Sequence, residues 1–130
     1  MRDIVGIDLG TTNSPLAYLD HEISEENVRS EVRAVPQLIN PGLVEDRSLL
    51  PSFLFLPGEL DFPEGSLTLP WDPNPQVVIG ELARKRGAEN PARLVASAKS
   101  WLSYQAVNRT APILPWQAPE EIPKLSPLEA

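Results

Sequence analysis

Residues 3–19, DIVGIDLGTTNSPLAYL, constrain this chain more than any other stretch. Val5, Ile7 and Leu9 recur at a period of two, which puts them on one face of a half-buried strand with Asp8 on the opposite face. Gly10, Thr11, Thr12 and Asn13 then make a small polar turn, and residues 16–19 return as a second strand. Pro15 opens that strand, where its missing N–H can face outward. The unit is strand, polar loop, strand. A Walker A site is a different object: its GxxxxGK[ST] string is absent, and no helix signal follows the loop.

The loop has the chemistry of an anion site. Gly10 lacks a Cβ, so the backbone can turn sharply and approach a ligand closely. Successive N–H groups in such a turn converge into a concave nest that accepts anions. The hydroxyls of Thr11 and Thr12 and the amide of Asn13 add donors. Asp8 ends the strand with a carboxylate beside the same space. Mg²⁺ keeps several waters and takes only one or two carboxylates next to substrate phosphates, so a single Asp is enough. A turn rich in small polar residues is the alternative reading of the same string.

The string IVGIDLGTTNS resembles the first phosphate motif of the DnaK-type chaperones, the heat-shock protein 70 family, which share the actin-like ATPase fold with sugar kinases. The resemblance implies that Gly10, Thr11, Thr12 and Asn13 bind the phosphates of ATP and that Asp8 holds Mg²⁺ through its water shell.

Composition narrows the rest. With 130 residues the chain can bury one real core. It has no cysteine, which removes disulfides and Cys-based metal sites. The formal charge of −7 argues against nucleic acid as a partner, because phosphate contacts need a basic face. No apolar stretch approaches the roughly 18 residues of a membrane span, and the N-terminus has no signal-peptide pattern. A cytoplasmic location is the expectation. The 15 prolines imply many loops and edge positions.

Along the chain, residues 20–30 read as a solvated loop, with His21 a surface turn residue. Residues 31–39 read as a third strand interrupted at Pro36, closed by the turn Asn40, Pro41 and Gly42. Residues 48–56, SLLPSFLFL, form a short apolar run suited to a buried strand. Residues 57–76 hold five prolines and read as an irregular insertion, with Leu67, Leu69 and Trp71 alternating like a short edge strand. Residues 77–79 form another strand, stopped by Gly80. A short helix follows over 81–88, weakened by Gly87. A second helix is expected from Asn90-Pro91, with Leu94, Val95, Ala98, Trp101 and Leu102 on its core face. Residues 111–123 read as extended, with a short strand over 113–116. Ser126, Pro127 and Glu129 spell a capping box, so a helix is expected to start there and to continue past Ala130 in a longer protein.

The resemblance extends beyond the loop. Leu50-Pro51-Ser52-Phe53 is similar to the family's threonine-proline-serine segment. The run from Val78-Ile79-Gly80-Glu81 through Asn90-Pro91 to Ala98-Lys99 is similar to its passage from a strand end into a lysine-bearing helix. In this register the family's catalytic lysine falls on Arg84, with Lys85 beside it. Arg and Lys are not interchangeable in such a role, and an exposed cationic helix face is the competing reading of residues 84–86.

The implied fold is α/β: the N-terminal half-lobe of an actin-like (ribonuclease H-like) ATPase domain, a mixed sheet with flanking helices. Residues 1–41 would form the sheet of the first lobe, 42–110 a smaller α/β subdomain, and 111–130 a return segment entering a truncated helix. The implied function is that of an ATP-binding, ATP-hydrolysing chaperone, with unfolded-peptide clients and co-chaperones engaged through other parts of the protein. The cofactors would be ATP and Mg²⁺. A piece of this size would be inactive alone, and its uncovered apolar surface would favour dimerisation. A small-molecule kinase of the same superfamily and a non-catalytic interaction module are the two alternatives.

Overall fold

The computed structural model describes residues 4–19 and 29–130. The loop expected over 20–30, with His21, therefore lies outside the described residues except at its last two positions. The molecule is mixed α/β, with small antiparallel sheets and two helices among the described residues.

The N-terminal strands are β1 (Ile4–Ile7), β2 (Asn13–Ser14), β3 (Leu16–Leu19) and β4 (Glu31–Arg33). β1 runs antiparallel to β3, with Ile4 opposite Leu19 and Ile7 opposite Leu16, and β4 pairs the far side of β3. The sheet order β1-β3-β4 leaves β1 at an edge. The strand–loop–strand expectation holds. The half-buried face does not: Val5, Ile7 and Leu9 are 58%, 64% and 65% exposed. The pattern demands a cover, and none of the described residues supplies one.

The predicted third strand is two strands. Its break falls at Ala34, and β5 (Val35–Asn40) joins β6 (Leu43–Arg47) in a separate hairpin. Gly42 holds the turn at φ +76°, the left-handed region that a Cβ disfavours. β6 escaped the sequence reading because LVEDR is mostly polar and its side chains are mostly exposed. Gln37, Leu38 and Ile39 on β5 are buried.

The apolar run 48–56 divides into β7 (Leu50–Pro51) and β8 (Phe53–Phe55), with Ser52 between them. β7 pairs with β2 and so forms a two-stranded ribbon beside the Gly10–Asn13 turn. β8 is the centre of a sheet ordered β10-β8-β9, flanked by β9 (Val78–Ile79) and β10 (Leu94–Ala96). Alternation along this segment feeds two cores. Phe55 packs with Leu38, Val78, Leu82 and Ala83, while Leu54 and Leu56 pack with Val95 and Leu114. A run buried on both faces reads as continuous apolarity.

Helix α1 (Glu81–Glu89) forms as expected and buries Leu82 and Ala83. Its first N–H, on Glu81, donates to Oε1 of the buried Gln37 at 3.0 Å, a tertiary substitute for a local N-cap. The second helix is corrected. Pro91–Arg93 is a 3₁₀ turn, Leu94–Ala96 is strand β10, and only α2 (Ala98–Leu102) is helical, entered through Ser97 at φ 55°. The open edge of β8 captures residues 94–96, with Val95 opposite Leu54. Val95, Ala98 and Trp101 still reach one core, so a strand followed by a helix satisfies the same apolar pattern.

Residues 57–76 carry no strand; Leu69 and Asp72 form one isolated bridge. The insertion is nevertheless packed. Phe62, Leu67 and Leu69 cover the first core, and the Arg86 guanidinium lies 4.8 Å from the Phe62 ring centroid. The expected strand near 113–116 reduces to a bridge between Leu114 and Leu125. The capping box is formed: Ser126 N–H donates to the Glu129 carboxylate at 2.8 Å, and Glu129 N–H donates to Ser126 Oγ at 3.2 Å. In place of one mixed sheet, every ladder among the described residues is antiparallel. Among these residues no helix is long and apolar enough to cross a membrane.

Candidate phosphate site

The turn between β1 and β2 folds back on itself. Asp8 N–H donates to the Pro15 carbonyl at 3.2 Å, and Gly10 N–H donates to the Asp8 carbonyl at 3.0 Å. A Cβ at Gly10 would collide with the backbone carbonyl of Asn13, so only glycine fits this close approach.

Ser52 fixes the turn from across the ribbon. Its N–H donates to the Thr12 carbonyl at 2.9 Å. Its hydroxyl donates to the Gly10 carbonyl at 2.7 Å. Ser14 Oγ lies 3.0 Å from Ser52 Oγ. Ser52 has one hydroxyl proton and gives it to Gly10, so Ser14 is the donor in that pair. The carbonyls of Gly10 and Thr12 are thereby drawn to the Ser52 side. Thr11 and Thr12 are left exposed, and their N–H groups donate to none of the described residues. Asp8 is exposed at the end of β1 and pairs with no cation among the described residues.

Two depressions flank this ribbon. One, of about 300 Å³, is lined by Gly10, Thr11, Ser14, Ser97 and Lys99 together with apolar side chains that include Leu50, Ile79, Val95 and Leu102. Lys99 stands on α2, is exposed, and pairs with no carboxylate among the described residues. The other depression, of about 320 Å³, is lined by Asn13, Gln37, Arg47, Glu81, Arg84 and Lys85. There Arg84 Nη2 donates to both carboxylate oxygens of Glu81, at 2.8 and 2.7 Å, and Lys85 Nζ donates to the Ile39 carbonyl at 3.0 Å.

The structure thus brings Gly10 and Thr11 together with Lys99, and Asn13 together with Arg84. Two residues of the site escaped assignment. Ser52 carried its signal in the Leu50-Pro51-Ser52 segment, and Lys99 in the Ala98-Lys99 pair ahead of Trp101. Neither has a sequence-local reason to meet residues 10–14.

Among the described residues no three His, Cys, Asp or Glu side chains cluster as a metal cage. Of the residues expected to hold phosphate or Mg²⁺, Gly10 and Thr11 line the depression that holds Lys99, Asn13 lines the other, and Asp8 and Thr12 line neither. Comparison of the chain with family models, with curated proteins and with solved structures gave no match.

Proposed function

We propose that this chain supplies the first phosphate loop of an ATP-binding, ATP-hydrolysing protein of the heat-shock protein 70 type, on an actin-like fold. The observation that carries the reading is the turn Gly10–Asn13, tied by Ser52, with Thr11 and Lys99 lining one depression. The resemblance of residues 3–14 to that family supplies the rest. The nucleotide state would couple to client binding elsewhere in the protein, and a cytoplasmic setting suits that work.

In this reading the N–H groups and hydroxyls of Thr11 and Thr12 bind phosphate oxygens, and Asn13 orients the end of the turn. Asp8 holds Mg²⁺ through water, and the ion supplies charge neutralisation on the phosphates. Lys99 brings a compact positive charge to the same space. Arg84 is the competing cation, and it reaches phosphate only by giving up Glu81. Phosphoryl transfer depends on positioning and electrostatic stabilisation. A loop this open to water gives little of either, so the chain alone should bind nucleotide weakly and hydrolyse ATP below detection.

The test is Mg-ATP titration with single-turnover hydrolysis in the full-length protein, beside Thr11→Ala, Lys99→Ala and Arg84→Lys. Binding that Thr11→Ala abolishes, with hydrolysis that Lys99→Ala removes and Arg84→Lys leaves intact, is the expected result. Absence of any nucleotide binding refutes the proposal.

A further inference from the structure

The depression on the Asn13 side of the ribbon is lined by three cations, Arg47, Arg84 and Lys85, in a chain whose formal charge is −7. Among the described residues Glu81 is the one carboxylate in that lining. Lys85 bonds to neutral oxygens, the Ile39 carbonyl at 3.0 Å and Asn40 Oδ1 at 3.5 Å, and these leave its charge uncancelled. Arg47 is cancelled from outside, at 2.8 Å, by Glu45, which does not line the depression. Arg84 is cancelled from inside, by Glu81.

The Glu81–Arg84 contact is easily given up. Arg84 reaches both carboxylate oxygens with Nη2 alone, and its other nitrogens bond to none of the described residues. The stronger arrangement, two parallel bonds from two nitrogens, is not made. The partners are also anchored unequally, with the Arg84 side chain 54% exposed and that of Glu81 only 19%. Glu81 opens α1 with its N–H held by Gln37, whereas Arg84, three residues on, reaches into water. A pair of this kind is worth a factor of about two to five in an equilibrium constant. A phosphate group outcompetes it, because it carries nearly twice the charge of a carboxylate and offers oxygens to two guanidinium nitrogens at once.

We propose that Glu81 is an internal competitor for the ligand's phosphate, an autoinhibitory contact that keeps Arg84 neutralised until a phosphate in the Asn13 depression displaces the carboxylate. The contact acts within the phosphate reading given above, on which the inference rests, and sets the threshold for binding there. An anion that draws Arg84 away leaves behind a carboxylate only 19% exposed, now without its cation and beside the incoming charge. Neutralising Glu81 removes that cost and releases the guanidinium in advance. A carboxylate ligand would gain nothing by replacing Glu81, so the exchange selects for phosphate.

Titration of the 130-residue chain with inorganic tripolyphosphate at fixed ionic strength, read by amide NMR shifts, tests the contact. Mg-ATP titration of the full-length protein tests the nucleotide reading beside it. Glu81→Gln should tighten tripolyphosphate by about two- to fivefold. In an Arg84→Gln background the same change should gain less than about 1.5-fold, because no guanidinium is left to release. Glu81→Asp keeps a charge at the start of α1 but draws it back by one methylene, so its gain should be intermediate. It carries the test if Glu81→Gln loses the circular-dichroism signal of the native chain. Equal tripolyphosphate affinity in the native chain and the Glu81 variants overturns the proposal, as does absence of binding by those variants. A gain that survives Arg84→Gln also overturns it, since the carboxylate would then act by repulsion alone. If the tripolyphosphate pattern holds and Mg-ATP does not bind, the nucleotide reading fails and the Glu81 contact stands. If Mg-ATP binds and the tripolyphosphate gain is absent, the contact alone fails.

Discussion

Removing the Ser52 hydroxyl should loosen the Gly10–Asn13 turn and leave the rest of the molecule in place. Ser52→Ala deletes the bond to the Gly10 carbonyl at 2.7 Å and the contact with Ser14 at 3.0 Å, both partly buried. It spares the backbone bond from Ser52 N–H to the Thr12 carbonyl, so the effect isolates the side chain. Each lost bond is worth about 0.5–1.5 kcal/mol net, giving a loss of about 2 kcal/mol. In a chain of this length that corresponds to a fall in Tm of about 8 °C. Urea denaturation at fixed protein concentration measures it, with an unchanged slope showing that the unfolded state is untouched. A cycle with Ser14→Ala separates the two bonds: the Ser14–Ser52 term should appear as a coupling of about 0.5–1 kcal/mol. Ser52→Thr keeps the hydroxyl and should recover most of the loss. If Ser52→Ala leaves both the urea midpoint and the nucleotide affinity of the full-length protein unchanged, the clamp does not hold the turn and the argument for the site fails.

Other perturbations check separate parts of the structure. Gly87→Ala should gain about 1 kcal/mol of helix propensity. It should lose more, because its Cβ would sit 2.5 Å from both Cδ atoms of Leu94. Overpacking costs about 1–3 kcal/mol, so the net change is a destabilisation of about 1 kcal/mol in a thermal melt. Gln37→Ala strands the Glu81 N–H and the Leu49 carbonyl at a residue only 2% exposed, and should cost about 2–4 kcal/mol by urea denaturation. The Glu129 carboxyl is held below the usual carboxylate range, first by the Ser126 N–H and then by the Ser126 hydroxyl. Its stabilising contribution is therefore complete above the ordinary glutamate value and is lost as pH falls through the lowered one. Carboxyl NMR titration should find Glu129 titrating below the exposed glutamates, and Ser126→Ala should move it back upward.

Part of this architecture was legible because it is written in local chemistry. Period-two apolarity named β1, and the continuous apolarity of residues 48–56 announced a segment buried on two faces. Gly80 and the following residues marked α1, and Ser126 with Glu129 spelled a capping box whose two reciprocal bonds are present. The Asp8–Asn13 turn was legible for the same reason: glycine, small polar residues and flanking strands are neighbours in sequence.

What the sequence by itself determined, then, is the set of elements whose partners lie within a few residues. The tertiary structure alone decided the rest, because the deciding partners are distant. Residues 94–96 satisfy a helical pattern, yet the unfilled edge of β8 takes them as a strand, since ladder bonds to Phe53–Phe55 satisfy backbone groups that a helix would satisfy internally. Gly87 looked like a weak point in a helix and is the space that Leu94 needs. Gln37, on a strand, caps a helix 44 residues away. Ser52 bonds to the turn at Gly10, and Lys99 lines a depression beside it, only after β7 has paired with β2 and β10 with β8. Periodicity reports which faces of a chain are apolar; which surface each face meets is settled by competition among edges and cores that no local window contains.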